Sequence, residues 1–103
     1  MPTIAQLERL LEADPDDAFV LYGLAQAHAG EGRHTEAIGY YDRCLAADPS
    51  YHYAYYHKAV AQDAASQRDQ AIATLRAGLE VATAAMDSKA SGEIAELLST
   101  MTA

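Results

Sequence analysis

The chain has 103 residues, half of them hydrophobic, with fifteen acidic against seven basic side chains and a formal net charge of −8. That length supports one small domain, and the hydrophobic half marks it as folded rather than disordered. The acidity argues against nucleic acid and against anionic membrane surfaces as partners, and leaves basic or apolar ones.

Abundant alanine with few prolines and glycines favours helices. The single cysteine, Cys44, has no partner for an internal disulfide. The opening MPTIAQLERLLEADPDD carries Glu8 and Glu12 among its leucines and lacks the basic start of a secretory leader. No apolar run nears the ~20 residues of a bilayer span. A cytoplasmic location is the expectation.

In chain order, Ile4, Leu7, Leu10 and Leu11 predict a first helix over 3–13 with these residues packed inward. Asp14-Pro15 ends it, and Asp16 stands as N-cap of a second helix over 17–29. The GEGR stretch around Gly30 and Gly32 breaks the chain. Ile38, Tyr41 and Leu45 mark a third helix over 35–47, after which Asp48-Pro49 recurs with Ser50 as the next N-cap. A fourth helix, 51–65, opens on YHYAYYH, and Ile72, Leu75 and Leu79 mark a fifth over 69–85. A last helix over about 89–101 has Ile94, Leu97, Leu98 and Met101 in one core-facing stripe, with Glu93 and Glu96 on other faces.

These elements repeat. A shift of 34 residues superposes Ile4, Ile38 and Ile72, then Leu11, Leu45 and Leu79, and brings Ala25 onto Ala59 and Ala37 onto Ala71. Leu10, Cys44 and Gly78 also coincide, which reads Cys44 as a buried structural thiol. The third counterpart of Asp16 and Ser50 is Ala84, so the stop signal is lost and the fifth helix is expected to run longer than the third.

A 34-residue helix-turn-helix unit with alanines at fixed points and a closing Asp-Pro resembles the tetratricopeptide repeat. Residues 18–51 match one unit through Leu21, Leu24, Ala25, Gly32, Ala37, Tyr41 and Pro49, and residues 52–85 a second through Tyr55, Ala59, Ala71 and Leu75. Residues 3–15 are similar to the second helix of a preceding, truncated unit, so the resemblance covers about four-fifths of the chain. His28, Lys58 and Thr83 depart from the family's tyrosine, leucine and proline. The resemblance implies an all-α domain spanning 1–103: antiparallel helical hairpins stacked as a short right-handed superhelix, capped by the C-terminal helix.

It further implies that the first helix of each hairpin lines a concave groove. At ~100° per residue, Tyr53, Tyr56, His57, Val60 and Ala64 share one face of the fourth helix, while Tyr55 and Ala59 take packing positions opposite. The equivalent groove residues of the first unit are Phe19, Tyr22, Gly23 and Gln26, and Asp63 at the far end is placed to meet a basic group on a ligand. Tyrosine gives large contact area with a polar tip, which suits capture of a peptide or partner helix. Family members that clamp a C-terminal carboxylate use lysines, an arginine and asparagines; here Tyr22, Gln26, Tyr56 and His57 stand at such points, which speaks against that clamp. The competing reading is that the rings pack against the last helix. A second function class is a homodimer or larger self-assembly through the open N-terminal edge or the last helix.

Chemistry is not expected. His52 and His57 lie ~140° apart on their helix and cannot chelate one ion from one face. His28 and His34 bracket a turn without further ligands, and neither a Gly-rich phosphate loop nor a Ser-His-Asp arrangement is present. No metal, cofactor or enzymatic activity is assigned.

Overall fold

The structure, a computed structural model, describes residues 2–103. It has six helices: α1 Ile4–Ala13, α2 Ala18–Gly30, α3 His34–Ala47, α4 His52–Ala64, α5 Arg68–Ala84 and α6 Ser88–Thr102. Among the described residues there is no strand, and the all-α expectation holds.

Side-chain caps start α1, α2 and α6 but not α3, α4 or α5, and neither Asp16 nor Ser50 takes the N-cap expected from sequence. Thr3 and Gln6 form a reciprocal capping box at α1. The cap of α2 is Asp17, whose carboxylate accepts the Val20 amide at 3.1 Å; it is not Asp16. The amide of Asp16 is bonded instead to the Asp14 carboxylate, and both the amide and the hydroxyl of Ser50 donate to Asp48. The repeated Asp-Pro is thus an Asx turn that engages the residue after proline. Helix α4 consequently starts after Tyr51 without a side-chain cap.

Three helices stop the same way. Gly32, Ser66 and Met86 adopt φ of 77°, 63° and 59°, and the amide after each reaches back to the carbonyl of His28, Gln62 or Ala82. This 6→1 bond satisfies a terminal carbonyl. As expected from the lost Asp-Pro, α5 has 17 residues against 14 in α3.

Helices α2, α4 and α6 form one layer and α1, α3 and α5 the other. Each helix packs mainly on its chain neighbours, α4 also touches α2 and α6, and the backbones of α1, α3 and α5 stand farther apart from one another. The layer whose members meet is the inside of the curve. The shortest dimension is 21 Å, two helix diameters. Alanines 25, 37, 59 and 71 are fully buried and let the helices approach.

One apolar position departs from expectation. Leu7 and Leu11 are buried and Ile4 is half-buried, but Leu10 is 53% exposed. Its counterparts Cys44 and Gly78 are buried, because α3 and α5 each follow a first-layer helix in a hairpin, which α1 does not.

At Gly78 an added Cβ would lie 2.5 Å from Cβ of Tyr55 and 2.9 Å from its Cγ, so a ring root rests on bare helix backbone. Gly78→Ala should therefore destabilise by ~1–3 kcal/mol through overpacking, although alanine is the better helix former. Gly39, with nothing within 4 Å of its Cβ position, provides the control. There alanine should stabilise by ~1 kcal/mol. Urea unfolding of both variants checks the opposite signs.

Candidate functional site

The inner layer brings together part of the expected groove. The half-buried Tyr22 ring lies 4.9 Å from the ring of Tyr51 and 6.0 Å, edge-on, from both Tyr41 and His57. Gln26 ties this ring to the core: its amide nitrogen donates to the Tyr22 hydroxyl at 3.3 Å, and its carbonyl accepts the hydroxyl of fully buried Tyr41 at 2.5 Å. Burial raises the Tyr22 phenol to about 12 and pushes Tyr41 up as well, so both stay neutral.

His57 is half-buried, with the Tyr56 ring 5.1 Å away on its other side. Burial lowers its pKa, and Glu93 acts in the opposite sense. Tyr56 in turn lines a pocket of about 240 Å³ together with Glu93, Glu96, Leu97 and Thr100 of α6. As the sequence spacing implies, both glutamates lie off the stripe of Ile94 and Met101, which is buried. They face the groove because α6 begins 36 residues after α4, whereas α4 begins 34 after α2. The capping residues Asp17 and Asp87 carried part of the signal, standing 70 residues apart rather than two periods of 34.

The four groove residues expected of the first unit, Phe19, Tyr22, Gly23 and Gln26, line one further pocket of about 310 Å³ with Leu7 and Ala27 where α1 meets α2, Phe19 being 75% exposed. Val60 is 42% exposed. The carboxylate of Asp63 is taken up within the chain, accepting Arg68 bonds at 2.7 and 3.3 Å. Tyr53 and Tyr56 are half-buried against the core cluster that includes Ile94 of α6, so the last helix covers these rings in part. Tyr55 and Ala59 take their packing positions, Tyr55 also donating its hydroxyl to the Pro49 carbonyl at 2.9 Å.

His28, His52 and the cysteine are engaged locally, whereas Nδ1 of His34 and Nδ1 of His52 are buried without a hydrogen-bond partner among the described residues. His28 stacks on Tyr40 and accepts from Arg33, and His52 lies 3.7 Å from Asp87. Burial pushes the Cys44 thiol up to about 11, with Asp48 adding to it, which keeps it protonated and unreactive. Among the described residues no three His, Cys, Asp or Glu side chains form a metal-binding group, and no helix is long and apolar enough to cross a membrane.

The tetratricopeptide repeat family matches residues 4–52. The tetratricopeptide repeat domain protein from Salinibacter ruber, in its solution NMR structure, is 30% identical over 85% of this chain and 89% of its own, with a TM-score of 0.79. This chain belongs to that family. It is also similar to the TPR2B domain of yeast Sti1 in its pHsp70 complex, at 25% identity over 96% of this chain and 79% of that one, TM-score 0.89. The TPR2AB–pHSP90 complex of yeast Sti1 superposes with a TM-score of 0.90 at 25% identity, 97% of this chain covering 39% of that one. No curated protein matches the sequence.

His57 gives the site a pH signature. Its folded pKa lies below the ordinary 6.5, so its contribution is fully present above pH 6.5 and is lost as pH falls from there through the folded value, where the unfolded chain binds the proton more readily. Urea unfolding at pH 7.5 and pH 5 should show a smaller loss for His57→Asn than for the wild type.

Proposed function

We propose that this chain is a protein-interaction module whose inner face holds a basic peptide or the basic side of a partner helix. The observation that carries this reading is the pocket in which Tyr56 stands beside Glu93 and Glu96, with neutral Tyr22 and half-buried His57 adjoining. A lysine or arginine side chain fits that chemistry: its aliphatic stem lies on Leu97, its charge over the Tyr56 ring and between two carboxylates. The net charge of −8 steers a cationic ligand to the surface.

In this reading Tyr22, Tyr53, Tyr56 and His57 are the principal contacts, with Phe19 and Val60 flanking them for apolar residues. Gln26 and Asp63, engaged with Tyr41 and Arg68, hold the face in shape rather than meet the ligand. The pHsp70 and pHSP90 complexes of the similar Sti1 domains support peptide capture as the class of activity. The ligand's charge is argued from this chain's own carboxylates.

Fluorescence anisotropy with two peptides of equal apolar content, one lysine-rich and one glutamate-rich, tests the proposal. The lysine-rich peptide should bind, more weakly as salt rises. The Tyr53→Ala, Tyr56→Ala, His57→Ala triple variant should lose at least about tenfold, ~1.4 kcal/mol, with its helical circular dichroism unchanged. Glu93→Gln with Glu96→Gln should flatten the salt dependence. Equal binding of the glutamate-rich peptide, or full affinity in the triple variant, would overturn it.

A further inference from the structure

We infer that His57 is a proton-controlled gate on the Tyr56 pocket, which holds a basic side chain strongly only while that imidazole is neutral. The gate presupposes the basic ligand proposed above and adds the regulation of its site.

Position comes first. On the inner face of α4, His57 stands between two tyrosines, its ring edge-on at 6.0 Å from Tyr22 of α2 and at 5.1 Å from Tyr56 of its own helix. It is half-buried, and Tyr56 in turn shares its pocket with Glu93 and Glu96. The imidazole is thus one ring away from the place where a ligand's charge would sit.

Few other charges bear on it. Helix α2 carries no Asp, Glu, Lys or Arg and presents Tyr22, a phenol that burial keeps neutral. Beside Tyr22, the phenols of Tyr41 of α3 and of Tyr51 are also raised by burial. On α4 itself, Lys58 is paired with Asp42 of α3 and Asp63 with Arg68 of α5, each at 2.7 Å, and His52 faces Asp87. Helix α5 joins α4 on the outer side, in the core cluster of Ala59, Ala71 and Leu75. Helix α6 adds exposed Lys89 and Glu96 and half-buried Glu93, and Glu93 is the carboxylate that acts on the imidazole.

Glu93 is therefore claimed from two sides. An ammonium or guanidinium over the Tyr56 ring needs it, and so does a proton on His57. With His57 neutral, both carboxylates of the pocket face one cation. With His57 protonated, the imidazolium neutralises Glu93, and a ligand brings a second positive charge beside the first. In a half-buried site that repulsion is screened less than at open surface. The exclusion is reciprocal: the factor by which the proton weakens the ligand is the factor by which the ligand weakens the proton. Burial already disfavours the charged imidazole, so the gate is open at neutral pH and closes on acidification below pH 6.5.

Fluorescence anisotropy with the lysine-rich peptide at pH 7.5 and pH 5, on the wild type and His57→Gln, tests this. Wild-type affinity should fall about fivefold or more on acidification, the low end of couplings between linked sites. Glutamine cannot take the proton and leaves both carboxylates in place, so His57→Gln should show a clearly smaller fall, whatever its affinity at pH 7.5. Imidazole NMR of the wild type gives the reciprocal reading, His57 being identified by the signal missing from His57→Gln. Its titration midpoint should drop by the logarithm of the same factor in saturating peptide. Should His57→Gln bind too weakly to measure, that midpoint decides alone. An equal fall in both proteins, or a midpoint that the peptide leaves in place or raises, would overturn the gate and leave the peptide reading standing. No binding at pH 7.5 would sink the peptide reading, and the gate with it.

Discussion

The contact of Tyr55 with the bare backbone of Gly78 sets how closely α4 and α5 approach. A single helical hairpin cannot bury its own apolar face, so α4 must be covered by α3 as well as α5. That second demand needs small residues, and α4 supplies Ala54 and Ala61 on the α3 side, each at most 2% exposed, with Ala59 buried on the α5 side. With its packing sides made small, the helix is left to carry its large side chains, Tyr53, Tyr56 and His57, on or near the inner face. The aromatic character of the groove is thus a consequence of how the helices pack and not a separate feature added to them.

Polar groups inside the hairpins couple this face to the core. Gln62 and Thr74 are buried and bonded to each other at 2.7 Å, and the same register position in the first hairpin holds the stacked pair His28 and Tyr40. A buried bond of this kind is costly to half-remove, because the remaining partner loses its only compensation. The chain Tyr41–Gln26–Tyr22 acts similarly across the first hairpin: it fixes a groove ring through a fully buried hydroxyl. The Tyr22 side of the inner face is therefore fixed by the core, whereas the Tyr56 side is bounded by half-buried Glu93 and exposed Glu96 of α6.

The helices and their order were legible because period-34 repetition and helical spacing agreed at Ile38, Tyr41 and Leu45 and again at Ile72, Leu75 and Leu79. What escaped were features that depend on one or two residues of phase. Asp17 caps α2 in place of Asp16 because the Asx turn spans Asp14 to Asp16 and the helix starts only at Ala18, a phase that two adjacent aspartates do not settle in sequence. Ser66 and Met86 end helices in the left-handed region without the glycine that makes Gly32 recognisable. The two extra residues between α4 and α6 rotate Glu93 and Glu96 into the groove, and no counting from the 34-residue period reveals that. Asp63 read as a ligand contact because its partner, Arg68, stands across a turn whose geometry spacing alone does not give.

In the proposed reading, the hold on a basic side chain rests on carboxylates at a pocket open to solvent, where attraction fades once salt shortens the screening length to roughly 10 Å. The contact of the same ligand's aliphatic stem with Tyr56 and Leu97 rests on burial, which screening leaves intact. Salt would therefore weaken the charge-selective part of the affinity and spare the apolar part.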